Sequence, residues 1–197
     1  MLIRLRPAVA GLRRDTEVSA RQFKESFHST EFWHIFGKNG GKTILAMNKE
    51  KLQSLARDLR KTPPRSPREP LGGFVIAARM LDKARADLLG INGEYNFYPC
   101  GLGAFFWKFT GLDAMKFKEF VSTGATDAEV DQWVRENTVQ KDKMSVIRWN
   151  NEMIGVRLCD LPDSVQEYFV EYIPKFCKPP SKVKFFFDVY DVEEGVL

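Results

Sequence analysis

Arg65, Arg68, Asp82, Arg85, Glu94, Tyr95 and Asn96 are the residues of this chain whose types and spacing suggest chemistry. Arg65 and Arg68 stand in the segment Pro63-Pro-Arg-Ser-Pro-Arg-Glu-Pro70, just before Gly72-Gly73 and a helical pattern. Unpaired N–H groups and the dipole at a helix start favour an anion there, and glycines allow close approach. Along Phe74 to Leu89, a step of about 100° per residue gathers Phe74, Ala77, Leu81, Ala84 and Leu88 on one side. Arg85 falls within that cluster and Asp82 at its edge, whereas Arg79 and Lys83 are expected to face solvent. A charge on an apolar face is costly unless paired. Asp82 and Arg85 form a natural i,i+3 pair, and Glu94, beyond the Asn92-Gly93 turn, is expected as its third member.

Two chemistries follow. In the first, Arg85 holds a ligand's carboxylate or phosphate by two parallel hydrogen bonds, with Tyr95 and Asn96 shaping the wall. In the second, the Asp82 and Glu94 carboxylates act on a substrate while Arg85 stabilises charge electrostatically. A structural ion-pair cluster tying helix to turn is the competing account, since perturbed charge only weakly implies function. For Arg65 and Arg68 the competing account is a solvated linker in which Arg68 braces a neighbour. An enzyme should show a concave site where a carboxylate is accessible with a raised pKa. A binding module should show open arginines, and a sealed, fully paired cluster would be structural.

Other motifs carry less. Cys100 lies between Pro99 and Gly101, in a turn entering a helix, where a thiol can become nucleophilic. No histidine is available there as a base, and aromatic neighbours suggest burial, which works against reactivity. Arg65-Ser66-Pro67 resembles a phosphorylation site, but the pattern is short. Gly37-Lys-Asn-Gly-Gly-Lys-Thr43 misses phosphate-loop spacing: three residues rather than four separate Gly37 from Gly41, and Phe36 stands where the glycine is required. The aromatic run Phe105 to Phe109 includes only Lys108 as a base, so it reads as core rather than as a nucleic-acid stacking platform.

The totals narrow the classes. Both histidines, His28 and His34, lie in the first 46 residues, so a histidine-based triad or a haem site is not expected in the body. Three cysteines without CxxC spacing argue against a disulfide framework and a zinc site, and fit a reducing cytoplasm. No metal and no cofactor is expected. Residues 1–46 carry eight Lys/Arg and four Asp/Glu, and the remainder twenty-two of each, so the basic balance belongs to the first quarter alone. A neutral body gives no reason to expect nucleic acid. No apolar run approaches the roughly 20 residues that a bilayer span needs, so no membrane segment is expected.

The elements that position these residues are mostly α-helical. Residues 1–46 read as an N-terminal extension, with Met47 as the natural start and the preceding segment poorly ordered. Residues 47–197 read as one helical domain, an irregular bundle of about six helices with at most a small β element near the C-terminus. Asn48 caps a helix to about Arg60, and Phe74 to Leu89 ends on Gly90. Leu102 to Thr110 closes on Gly111, and Asp113 caps a helix to about Thr123. Thr126 and Glu129 make a capping box. Asp142 to Leu158 and Pro162 to Phe176 follow. Val183 to Val189 is bulky and β-favouring, and is expected as a strand or extended tail.

The run Pro63-Pro-Arg-Ser-Pro-Arg-Glu, Leu71-Gly-Gly, Arg79-Met-Leu-Asp-Lys-Ala-Arg85, Gly93-Glu-Tyr-Asn96, Phe105-Phe and Gly111-Leu-Asp113 resembles the bacterial domain-of-unknown-function family numbered 5069. The resemblance spans about Met47 to Glu152. It implies a small, soluble, largely helical cytoplasmic protein, and brings no activity, substrate or catalytic residue. The function expected is a non-enzymatic module binding a small anionic ligand or a protein partner. The alternative is the carboxylate enzyme with Arg85 as electrostatic stabiliser.

Overall fold

A computed structural model describes residues 47–197. The readings of residues 1–46, including the glycine-lysine segment and the start at Met47, lie outside the described residues.

Local signals set most helix ends. Asn48 Oδ1 accepts from the Lys51 N–H at 3.1 Å and opens α1, Lys49–Leu55, which stops five residues short of the expected end. Helix α2, Ala77–Leu89, closes on Gly90 in the left-handed conformation. Helix α3, Gly101–Thr110, has Cys100 at its N-cap. Asp113 caps α4, Ala114–Ser122, and Thr126 with Glu129 forms the capping box of α5, Asp127–Asn137. Asp142 caps α6, Lys143–Gly155, and α7 spans Asp163–Phe176.

Two expectations are corrected. The described residues contain eight α-helices rather than about six, and the C-terminal β element is absent: α8 occupies Phe186–Glu193. Asp188 accepts from the Lys184 and Phe185 N–H groups, both at 2.8 Å, at the start of that helix. Phe186, Phe187, Val189 and Val192 are then buried in the core. Tertiary burial thus outweighs the β preference of the Phe/Val run. Among the described residues only isolated bridges occur, Leu71 with Phe74 and Arg157 with Phe185.

Helix α2 is the axis of the structure. Small side chains at Ala77, Ala78, Ala84 and Ala86 let neighbours approach on several sides, and every residue from Ala77 to Ala86 is buried. It starts three residues later than expected. Leu71 and Phe74 exchange both backbone hydrogen bonds, at 3.0 and 3.1 Å, and Ile76 precedes the helix at φ 72°. That conformation is strained for a β-branched residue and costs about 1–3 kcal/mol. Complete burial of the Ile76 side chain and the hydrogen bond from its N–H to the Pro67 carbonyl, at 2.7 Å, hold it there.

Candidate functional site at the Lys83 and Cys100 cleft

The expected charged cluster forms, with different partners. Arg85 does point inward and is 2 % exposed. Its guanidinium donates to Asp127 Oδ1 at 2.6 Å and to the Ala125 carbonyl at 2.8 Å, not to Asp82. Asp82 instead receives Arg65, from Nη2 at 2.7 Å, from Nε at 3.0 Å and from the backbone N–H at 2.9 Å. Arg65 Nη1 also reaches Asp127 Oδ2 at 2.6 Å. Burial works against ionisation of Asp127, but the two guanidinium groups hold its carboxyl below the usual range. Arg68 bridges Asp188, at 2.6 Å, and Asp191. The Pro/Arg segment therefore ties α2, the start of α5 and α8 together, and its arginines are spent on those bonds. Glu94 is not the third member of this cluster.

Arg79 and Lys83 correct the second expectation. They are 1 % and 6 % exposed, because the turn at residues 92–96 and the end of α8 cover the face of α2 that a helical projection assigns to solvent. Covering that face creates a cleft of about 360 Å³, lined by Arg79, Lys83, Tyr95, Cys100, Tyr190 and Glu193 among others. Glu94, Tyr95 and Asn96 line it too, whereas Arg65, Arg68, Asp82 and Arg85 do not.

Within the cleft Arg79 is already answered. It forms a bidentate pair with Glu194, with Nη1 at 2.8 Å from Oε2, and donates to the Arg65 carbonyl at 3.1 Å. Its guanidinium also lies 5.1 Å from the Tyr190 ring centre. Lys83 has no carboxylate within ion-pairing distance among the described residues. Its Nζ lies 3.5 Å from Cys100 Sγ and 5.8 Å from the centre of the Tyr95 ring. Loss of hydration lowers the Lys83 pKa, and Arg79 adds to the effect while Cys100 and Glu194 oppose it.

The approach of α3 to α2 sets this pair. Gly103 has no side chain where one would meet Met80: a Cβ there would stand 2.8 Å from Met80 Cε. The glycine lets the start of α3 lie against α2, with Cys100 Sγ accepting from the Gly103 N–H at 3.4 Å. The far wall comes from the C-terminus. The Tyr172 hydroxyl donates to Glu193 Oε1 at 2.7 Å. Loss of hydration still raises the Glu193 pKa, with Glu194 and Glu94 reinforcing it. The concave site with a raised carboxylate thus exists, but away from Asp82.

Cys100 and the turn at 94–96 are legible in the sequence, where the lack of a histidine and the aromatic neighbours count against a reactive thiol. The nearness of Lys83 to Cys100 is the feature not legible in the sequence, and its one signal is a helix with alanines on several faces, which leaves no obvious solvent side. Tyr172, Tyr190, Glu193 and Glu194 carried no signal while Val183 to Val189 read as a strand.

A family model described as Domain of unknown function (DUF5069) matches residues 61–196. No curated protein matches the chain. Among the described residues no helix is long and apolar enough to cross a membrane, and no cluster of three or more His, Cys, Asp or Glu is arranged to hold a metal ion.

Proposed function

The chain belongs to the DUF5069 family, whose description assigns no function, and from the geometry we propose that the cleft is a small-molecule site where Cys100 is the nucleophile and Lys83 its base. The observation that carries this is the buried Lys83 amine with a thiol, and no carboxylate, as its hydrogen-bond partner at 3.5 Å. A desolvated amine beside a second cation loses affinity for its proton and so is more readily available as a base. It can take the proton of Cys100, and the resulting thiolate is held by the ammonium, the Gly103 N–H and the positive end of α3. Only the thiolate is a strong nucleophile.

The chain contains its own controls for the test. Cys159 is exposed, Cys177 is buried and Cys100 is intermediate. Iodoacetamide labelling near neutral pH, resolved by residue with mass spectrometry, should modify Cys100 about tenfold faster than Cys159, although Cys159 is more exposed. Lys83→Met should bring Cys100 below Cys159. Equal or slower labelling of Cys100 in the wild type, or no effect of Lys83→Met, rejects the reading.

A second reading keeps the non-enzymatic module and moves its anchor. Lys83 is a cleft cation that no carboxylate occupies, so a small carboxylate or phosphate entering beside Tyr95 and Asn96 would find an ionic partner there. Arg65, Arg68 and Arg85 serve this reading only as frame, because an anion would have to displace aspartates from them. Thermal-shift measurements with inorganic phosphate and small dicarboxylates separate the two. A shift lost in Lys83→Met but retained in Cys100→Ser favours binding alone.

A further inference from the structure

Resting on the nucleophile–base reading of the same cleft, we infer that its substrate class is an activated acyl compound, an ester or thioester, whose oxyanion is received by the Gly101 and Leu102 N–H groups. Addition of a thiolate to a carbonyl carbon places a negative charge on the carbonyl oxygen. Donors fixed in advance at that position lower the barrier.

The start of α3 supplies them. The first four N–H groups of a helix have no acceptor within it. Here the Gly103 N–H is taken by Cys100 Sγ at 3.4 Å, and helical bonding begins with the Ala104 N–H on the Cys100 carbonyl at 2.9 Å. The Gly101 and Leu102 N–H groups make no hydrogen bond among the described residues, and both residues line the cleft beside Cys100. Gly101 has no side chain to stand between a substrate and these donors. Lys83, on the facing helix, is the independent mark of a reacting group: it is more than nine-tenths buried, lines the same cleft and has sulfur as its hydrogen-bond partner. Tyr95, Tyr172 and Tyr190 give aromatic walls for the acyl chain, and a volume of about 360 Å³ suits a small acid.

The step balances without an oxidant or a metal. The Cys100 S–H proton moves to Lys83 Nζ as the sulfur adds to the carbonyl carbon of R–CO–X. The carbonyl electron pair shifts to oxygen, facing the two N–H groups. Collapse breaks the C–X bond, X leaves with the proton from Lys83, and an S-acyl cysteine remains. Water or another nucleophile then adds to the thioester carbon and gives its proton to Lys83, which returns it to the departing sulfur.

Reaction of the full chain with p-nitrophenyl acetate tests this. The expected result is a burst of nitrophenolate equal to the protein present, with one acetyl group on Cys100, absent in Cys100→Ser and at least about tenfold slower in Lys83→Met. Gly101→Pro separates the oxyanion site from thiol activation. Proline is favoured at the first helical position, and Cys100 already has the extended backbone, φ −144° and ψ 118°, that a following proline demands. The variant deletes one donor and should slow acetylation about a hundredfold while slowing iodoacetamide labelling of Cys100 only a few-fold, roughly the share of the helix-end charge it removes, since displacement at a saturated carbon forms no oxyanion. Protection of buried Cys177 reports folding in every variant. Fast alkylation without acetyl-Cys100, or acetylation unchanged in a folded Gly101→Pro, overturns the acyl inference and leaves the nucleophile standing. Slow alkylation of Cys100 overturns both. Should Gly101→Pro fail to fold, the absence of a wild-type burst, or an equal burst in Cys100→Ser, overturns the acyl inference.

Discussion

Lys83 Nζ, on α2, and Cys100 Sγ, at the start of α3, stand 3.5 Å apart, and among the described residues no carboxylate pairs with the lysine. A buried amine in that position is poorly explained as a stabilising device.

Lys83→Met should therefore raise stability near neutral pH, by about 1 kcal/mol, while removing the reactivity of Cys100. The pH dependence has a definite sign. The Lys83 pKa is lower in the folded protein than its ordinary 10.5, so the unfolded chain binds the proton more readily between the two values. The penalty is full below the folded pKa and fades as pH rises toward 10.5. Urea denaturation of both proteins from neutral pH upward should show their difference narrowing. A methionine variant less stable throughout would mean that the lysine serves the fold.

Arg85→Ala should cost about 3 kcal/mol, because it leaves the buried Ala125 carbonyl without its donor and Asp127 with Arg65 alone. Arg85→Lys should recover little, since a single ammonium does not reproduce the fork that spans both acceptors. Cys100 labelling in the folded fraction should stay at the wild-type rate. A change in that rate without loss of stability would return Arg85 to the functional site.

Acid should weaken the Arg68 clasp on α8. Burial opposes ionisation of Asp188, but the Phe185 and Lys184 N–H groups and Arg68 keep its pKa below the usual 3.8. Its contribution is therefore complete above 3.8 and is lost as pH falls through the folded value. Asp188→Asn should lower stability at neutral pH by about 2 kcal/mol and flatten the acid limb of the stability profile. Urea titrations at descending pH would check this, and an unchanged acid limb would refute it.

Gly72 should tolerate no side chain. Its φ is +63°, and a Cβ there would sit 2.5 Å from Val134 Cγ1. Gly72→Ala should cost about 3 kcal/mol, combining the left-handed backbone with the collision. Adding Val134→Ala should restore little, because the Val134 Cβ would still stand 2.7 Å from the new side chain, and a double-mutant cycle by denaturation would show a small coupling.

The sequence by itself determined what local chemistry determines. Asn48, Asp113, Thr126 with Glu129, and Asp142 cap helices because each side chain reaches an N–H two or three residues away. Gly90 and Gly111 end helices because the left-handed turn is intrinsic to glycine. The inward turn of Arg85 was also legible, from the apolar face around it. Tertiary structure decided which partner answered which charge. Arg85 found Asp127, 42 positions away, instead of Asp82, and Arg65 took Asp82 from across a proline turn. It also decided which face of α2 met water. Helical periodicity locates a stripe but cannot show that another element, here α8 with Tyr190 and the Glu194 that follows it, will cover the opposite side. Lys83 became a buried neighbour of Cys100 only through that covering, because desolvation depends on the packing of segments far apart in the chain.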